Sequence, residues 1–523
     1  TRLEAIPRSV FLLHGVLLVG LLASTRILYR AYRTREIHRS PGKRILIVGA
    51  GTAGGMLIRD MLLVRPRVYE PVGFLDDDLE KKGSEIQGVR VLDVSSKMPV
   101  LVDELRVEQV LLAIPSATSE QMRRIVEFCD RSNVAYITLP RVEDILDGTA
   151  RLEDLRKIKL DDLLGRESVS LDDETLIQEI AGKRILVTGG GGSIGSELCR
   201  QLAHLNPKEM VLLGRHEFSL YAVQQEIRTE FPDIGLQPRL GDVCDEPAVR
   251  DVFSRYSPDL VFHAAAYKHV PMLQEQARET IRNNVIGTEI LSRIASESGC
   301  KTFVLVSTDK AVNPSSMMGA SKRLAEILVQ ARNTGSKTAF ITVRLGNVLG
   351  STGSVVPLFE KQILEGGPVT VTHPEVTRFL MTRAEACQLV LQACVIGRGG
   401  EIFVLNMGEP VKIAQLARQL IRMSGKMPEK DIKIEYTGLR PGEKLADELF
   451  HDDETPSKST HDKILQAQGR PVDSAIVLEA IGVLRQACEQ FDNETMNSIL
   501  QRLVPEYCAE TDHRILNEPR RTE

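Results

Sequence analysis

A chain of 523 residues exceeds what one hydrophobic core organises, so two or more domains are expected. An apolar content of 42% and a charged content of 26% suit a globular α/β protein, and a net charge of −5 without a basic tract excludes nucleic acid as the main partner. Cysteines stand at 129, 199, 244, 300, 387, 394, 488 and 508, none in a Cys-x-x-Cys pair, which excludes a disulfide framework and a structural zinc site and predicts a reducing, cytosol-facing setting with no metal.

The chain starts with an apolar run, VFLLHGVLLVGLLAS at 10–24, followed by Arg26, Arg30, Arg33 and Arg35. It is shorter than the roughly 20 residues that span a bilayer. Positive charge on its following side marks a cytoplasmic exit, so 1–42 is expected to hold the end of a transmembrane region and a juxtamembrane segment. That would place the protein on the inner membrane with its later domains facing the cytoplasm. A buried or interfacial helix is the alternative reading. A cleaved signal peptide fits less well, because no small-residue cleavage site precedes the arginines. Thr1 in place of Met predicts a truncated version of a longer protein.

Next comes KRILIVGAGTAGGMLIRDML (43–62), a β-branched strand running into Gly49-x-Gly51-x-x-Gly54 and then an apolar pattern of helical period. Glycines at that spacing allow a tight turn and let backbone amides approach a phosphate at a helix N-terminus. Further strands are predicted at 107–115 and 133–140, giving a doubly wound domain over 43–150. No catalytic acid, base or nucleophile stands out in it, and ligand binding and a purely structural or regulatory role both stay open.

A charged connector, 151–181, leads to a second start, GKRILVTGGGGSIGSELCRQL (182–202). Its Gly189-x-x-Gly192-x-x-Gly195 spacing is that of short-chain dehydrogenases. Ser193 and Ile194 are predicted at the helix N-terminus, where amides and dipole attract a pyrophosphate. The following strand ends at Gly214 and Arg215, where an acidic residue often holds the adenosine ribose. A missing carboxylate beside an arginine leans towards NADP over NAD, although Arg215 also fits a solvated surface. Asp242 and Val243 are placed to meet the adenine.

In VFHAAAYKHVP (261–271), Ala264 and Ala265 leave room for a cofactor against backbone, while Lys268 and His269 face the crevice beyond the strand ends. The most informative stretch is VLVSTDKAVNPSSMMGASKRLAE (304–326). A strand delivers Thr308, Asp309 and Lys310 to the same sheet edge, and a helix presents Met318-x-x-x-Lys322, the spacing of a Tyr-x-x-x-Lys pair with Met at the Tyr position. A thioether cannot exchange a hydroxyl proton as a phenol does. An adjacent acid and potential base suit an elimination instead.

HAAAYKHVP, STDKAVNPSSMMGASKR and TGLRPGEKLADELF (437–450) resemble the long polysaccharide-biosynthesis dehydratases that act on UDP-N-acetylhexosamines. The resemblance covers nearly the whole chain. It implies an α/β architecture of two doubly wound Rossmann-type domains in tandem, the second an extended short-chain dehydrogenase (182–508) with a C-terminal substrate subdomain and a polar tail at 509–523. The likeness also implies an NAD(P) cofactor, a UDP-sugar substrate (UDP-N-acetylglucosamine foremost) and a homo-oligomer. Met at position 318 is usual in the long forms, which implies retention at C5. Carried onto this sequence, Lys310 is the C5 base, Asp309 the C6 acid, Thr308 a hydrogen-bond partner of the C4 oxygen, and Met318 packing beside the sugar. The base role requires a lowered lysine pKa, from burial or from nearby Lys322. The alternative for Lys310 is an ion pair with Asp309. Either Asp309 or a water held by Lys322 would deprotonate the C4 hydroxyl. Arg344 to Asn347 resembles an Arg-x-x-Asn segment whose Asn meets the diphosphate, with a buried structural ion pair as the other reading of Arg344. Arg378 and Arg440 are candidate diphosphate clamps. A nucleotide-sugar 4-epimerase and a non-catalytic NAD(P)-sensing scaffold are the rival readings.

Overall fold

The computed structural model describes residues 42–63, 68–138, 174–468 and 473–508. The expected membrane segment, most of the connector and the tail lie outside the described residues. Among the described residues, no helix is long and apolar enough to cross a membrane. Contacts divide the chain into two units, the first containing 42–138 and the second 174–418 and the described residues from 432 onwards.

The first unit is a parallel sheet. Its strands are β1 (Lys43–Val48), β2 (Tyr69–Leu75), β3 (Val89–Asp93), β4 (Gln109–Leu112) and β5 (Ala135–Thr138), in the order β3-β2-β1-β4-β5. A two-residue strand, Glu85–Ile86, adds an antiparallel edge. Near-continuous apolar runs such as Ile45, Leu46 and Ile47, all fully buried, are what a sheet covered on both faces requires. Helix α1 (Thr52–Leu63) follows β1 through Gly49, whose φ of +105° suits only glycine.

The second unit carries a nine-stranded sheet. Its strands are β6 (Arg184–Thr188), β7 (Glu209–Gly214), β8 (Gly235–Leu240), β9 (Leu260–His263), β10 (Thr302–Thr308), β11 (Ala339–Leu345), β12 (Ile402–Leu405), β13 (Pro456–Lys458) and β14 (Ile464–Ala467). The order is β8-β7-β6-β9-β10-β11-β12-β14-β13, parallel through β12 and antiparallel for the last two. Strand order reverses between β6 and β9, and ligands of open α/β sheets bind in the crevice outside the strand ends at such a point.

Helix α2 (Glu174–Ile180) corrects one expected boundary. The sequence reading assigns 174–181 to the connector, yet Leu176 and Ile180 are fully buried in the second unit's core. Helix α3 (Ser193–His204) follows the second glycine turn. Helix α4 (Met317–Asn333) begins at Ser316, whose hydroxyl accepts a hydrogen bond from the Gly319 amide at 3.1 Å. It is buried on nearly every side because α5 (Ser474–Gln490) and α6 (Asn493–Leu503) share its core cluster. Short strand pairs complete the unit. Asn347–Val348 pairs with Leu380–Met381, and Thr377–Arg378 with Val411–Lys412.

Candidate functional site

The glycine turn after β6 is shaped by close approach. Gly189 has φ +70°, and a Cβ there would stand 2.9 Å from the amide nitrogen of Ala265 and 3.0 Å from Ala264. The turn thus lies directly on the β9 exit, where Ala264 and Ala265 are expected to leave room. Gly192 is the N-cap of α3, and a Cβ on Gly195 would lie 2.1 Å from the Gly189 oxygen. Ser193 and Ile194 open the helix, and the Ser193 hydroxyl accepts a hydrogen bond from the Thr352 amide at 3.2 Å. Beneath the turn, buried His263 hydrogen-bonds Thr188 at 2.7 Å and Thr288 at 2.9 Å. Burial, with the Lys322 charge, pushes its pKa down to about 3, so it is neutral. This cradle of backbone and small side chains fits the pyrophosphate of a dinucleotide, whose adenosine end would meet Asp242, Val243 and Arg215.

Those three residues adjoin one another. Val243 is buried, and Arg215 donates to Asp242 at 3.3 Å while its guanidinium lies 4.8 Å over the Tyr267 ring. Arg282, which the sequence reading does not single out, stands 4.0 Å from the same carboxylate. Arg215 is therefore exposed, as the solvated-surface reading has it, and at the same time anchored on an aromatic face.

The chemistry-bearing groups converge where β10 ends. Thr308 donates to Asp309 Oδ1 at 2.9 Å, and Lys310 Nζ donates to the same oxygen at 3.0 Å. Asp309 is 1% exposed, and its Oδ2 has no hydrogen-bond partner. Burial, then the negative charge of Asp447, raises its pKa to about 6 despite Lys310. Lys310 also donates to Asn347 Oδ1 at 3.0 Å and to Asp447 Oδ2 at 3.3 Å. The expectation of a lowered lysine pKa is corrected here. Burial does oppose its ammonium, but Asp309 and Asp447 outweigh it, and the pKa lies above the ordinary lysine value. The ion pair with Asp309 weighed as the alternative is present.

Lys322, one turn along α4 from buried Met318, donates to the Val306 oxygen at 2.8 Å. Burial pushes its pKa down to about 8, with Glu326 pulling the other way. Of the two lysines, Lys322 is the one that burial brings towards neutral pH.

Two of the expected diphosphate contacts, Asn347 and Arg378, sit elsewhere. The Asn347 amide spends its oxygen on Lys310 and its nitrogen on the Phe379 oxygen (3.1 Å) and on Asp447 (3.2 Å), so it belongs to the acid–base cluster. Arg378 is 9% exposed and directs its guanidinium to Glu443, Asp447 and the carbonyls of Thr377 and Lys444. It braces Asp447 and has no donor left for a phosphate. Arg344 is fully buried and pairs with Glu326 and Glu454 at 2.8 and 2.6 Å, the structural alternative.

Arg440, by contrast, is exposed, with one bond to Glu443 at 3.0 Å. His269 has its pKa lowered by burial, then by the charges of Lys268 and Arg440, which keeps its imidazole neutral beside those two cations. Lys268 reaches Ser351 at 3.3 Å, and His269 lies where a Cβ on Gly353 would fall, 2.6 Å away.

Asp447 and Glu443 escape the sequence reading even though both stand in the quoted GEKLADELF. Alternation cannot show which carboxylate of that turn is buried. In the first unit Asp76, at the end of β2, is missed in the same way. It accepts from the Ala50 amide at 2.7 Å and from Lys81 at 3.1 Å, closing the glycine turn.

Fold and site together define an enzyme of the short-chain dehydrogenase type. The chain belongs to the polysaccharide biosynthesis protein family, whose model matches residues 185–469. A CoA-binding domain model matches residues 3–140. The chain is 43% identical over 486 residues, 92% of its length and 80% of the relative's, to the capsular polysaccharide biosynthesis protein CapD of Staphylococcus aureus. It is 37% identical over 279 residues (52% and 79% of the two chains) to a UDP-glucose 4-epimerase of Rickettsia bellii. A UDP-N-acetylglucosamine 4,6-dehydratase (inverting) of Campylobacter jejuni is 35% identical over 283 residues, again 52% and 79%.

Proposed function

We propose that this protein removes water from a UDP-N-acetylhexosamine, UDP-N-acetylglucosamine foremost, to give a UDP-4-keto-6-deoxy sugar for surface polysaccharide synthesis. The observation that carries this reading is the hydrogen-bonded run Thr308–Asp309–Lys310 at the sheet edge, followed by a helix that has a methionine, Met318, where a proton-exchanging tyrosine would stand one turn before Lys322. A bound nicotinamide would supply hydride acceptance from C4 and hydride return to C6.

The chain's own groups carry the remaining steps. Thr308 holds the C4 oxygen, and Asp309, to which Thr308 donates, takes the C4 hydroxyl proton as hydride leaves C4. The C4 ketone acidifies the C5 hydrogen, and Lys310, its resting proton released to solvent, takes that proton and gives one back to C5 when hydride returns to C6. Asp309, whose pKa burial brings close to neutrality, gives a proton to the departing C6 oxygen, which leaves as water. Met318 packs against the sugar and keeps bulk water away. Arg440 and Lys268 supply positive charge for the diphosphate, and His269 a neutral hydrogen-bonding imidazole beside them. Arg215 with Arg282 nearby, and no carboxylate at Gly214, support NADP.

Similarity to an epimerase favours a second reading, a 4-epimerase. Against it stand Met318 and the acid–base pair, which an epimerase does not need. The test is incubation with UDP-N-acetylglucosamine, following the product by mass and NMR. Loss of one water supports the dehydratase, and an unchanged mass with inverted C4 supports the epimerase. The apolar run at 10–24 and its trailing arginines support attachment to the cytoplasmic face of a membrane, which salt-resistant sedimentation with membranes would test.

A further inference from the structure

The Lys310 ammonium is surrounded more completely than a catalytic base needs. Its Nζ meets three acceptors: Asp309 Oδ1 at 3.0 Å, Asn347 Oδ1 at 3.0 Å and Asp447 Oδ2 at 3.3 Å. That is the full donor complement of an ammonium; a neutral amine would turn its lone pair on one of the three oxygens. Asp309 arrives from Lys310's own turn, but Asp447 comes from a turn 137 residues further along the chain. Its side chain is 2% exposed and is fixed by Asn347 Nδ2 at 3.2 Å and by Arg378 Nε at 3.5 Å. Arg378 is itself anchored on Glu443 and on the carbonyls of Thr377 and Lys444.

A buried carboxylate held this firmly is costly unless its charge is used. Resting on the dehydratase reading above, we propose that Asp447 is a positioning residue which keeps Lys310 protonated in the resting enzyme and so sets the pH at which the elimination begins. The charged groups that face Lys310 are Asp309 from its own turn, Asp447 from the turn after Arg440, and Arg378 from the strand pair Thr377–Arg378 with Val411–Lys412. The two carboxylates favour the ammonium and Arg378 opposes it. Removing Asp447 and removing Arg378 must therefore move Lys310 in opposite directions.

Two readouts separate this inference from the function on which it rests. The first needs no substrate. The whole protein is labelled with a trace amine reagent across a pH series, and modification of Lys310, whose side chain is 23% exposed, is counted by mass spectrometry. In Asp447→Asn the labelling midpoint falls by roughly a unit or more, and in Arg378→Gln it rises, as expected for a single charge a few ångströms away. The second readout is the pH profile of kcat for UDP-N-acetylglucosamine, whose ascending limb moves to lower pH in Asp447→Asn by the same shift. Asp447→Glu restores the wild-type midpoint. Should Asp447→Asn fail to fold, the same fall is read in Asp447→Ser. Midpoints that stay at the wild-type value in the folded variants overturn the role of Asp447. Absence of dehydration by the wild-type protein overturns the functional reading, while the labelling shifts still decide the inference.

Discussion

A Cβ on Gly195 would stand 2.1 Å from the carbonyl oxygen of Gly189, and the same separation recurs in the first unit between Gly54 and Gly49. Both glycine turns are thus closed by a helix pressed onto the carbonyl that starts them. In the second unit the same contact sets how near the α3 amides come to a pyrophosphate. Gly195→Ala must push α3 outward. The expected stability loss is about 1–3 kcal/mol, as for other overpacked sites, read by denaturant unfolding. Titration with a reduced nicotinamide dinucleotide should show affinity lower by roughly tenfold or more, since about 1.4 kcal/mol of lost contact is enough.

The cluster behind the catalytic strand is built from charge. Arg344 pairs with Glu326 and Glu454, Arg323 pairs with Glu326 and Glu506, and Ser307 donates to Glu326 at 2.6 Å. Breaking such a pair leaves a buried charge without its partner. Arg344→Met is expected to lower stability by about 3–5 kcal/mol in a denaturant melt. If Arg344 contacted the diphosphate instead, the folded variant would show a raised KM for the nucleotide sugar; the geometry here predicts an unchanged one.

Acid sensitivity has an identifiable origin. His263 is buried neutral, its pKa depressed from 6.5 to about 3, so the unfolded chain takes up a proton first as the pH falls. Its contribution is complete above pH 6.5 and is lost progressively down to about pH 3. Glu326, depressed from 4.5 to about 2, loses its contribution lower, between those two values. Asp309 runs the other way, because a pKa raised from 3.8 to about 6 makes its burial less costly as the pH falls through that window. Unfolding free energies measured from pH 7 to pH 4 should fall less steeply in His263→Gln than in the wild type, whatever the substitution does to the absolute value. An unchanged slope would remove His263 from the account.

Arg215 reports on cofactor choice. It is stacked 4.8 Å over Tyr267 and tied to Asp242, and on the NADP reading proposed above it would meet a 2′-phosphate. Arg215→Gln is expected to reduce the preference for NADP over NAD by roughly tenfold, the scale of one lost charge-assisted pair, measured as the ratio of the two dissociation constants. Equal losses for both cofactors would make Arg215 a structural brace of the Tyr267 loop.

How much of this was visible in the sequence differs by residue. The glycine turns, the strand that delivers Thr308 to Lys310 and the Met318–Lys322 pair were legible because each depends on local spacing. Asp447 was not, because its proximity to Lys310 is made by a return of the chain 137 residues later. Arg378 and Arg440 read alike as phosphate ligands, since a guanidinium suits a phosphate and a buried carboxylate equally; only burial and partners separate them. The protonation of Lys310 was misjudged for a related reason. Desolvation is legible from the sequence, but the second carboxylate, which together with Asp309 outweighs it, is not.

The central claim is tested most directly by supplying the protein with UDP-N-acetylglucosamine and a nicotinamide cofactor in deuterated water. The product should have lost one water and show a 4-keto-6-deoxy spectrum with deuterium at C5. Retained configuration there would agree with the methionine at 318. Recovery of UDP-N-acetylgalactosamine at unchanged composition would contradict the account and establish an epimerase, and no turnover of any UDP-sugar would contradict a catalytic role for Asp309 and Lys310.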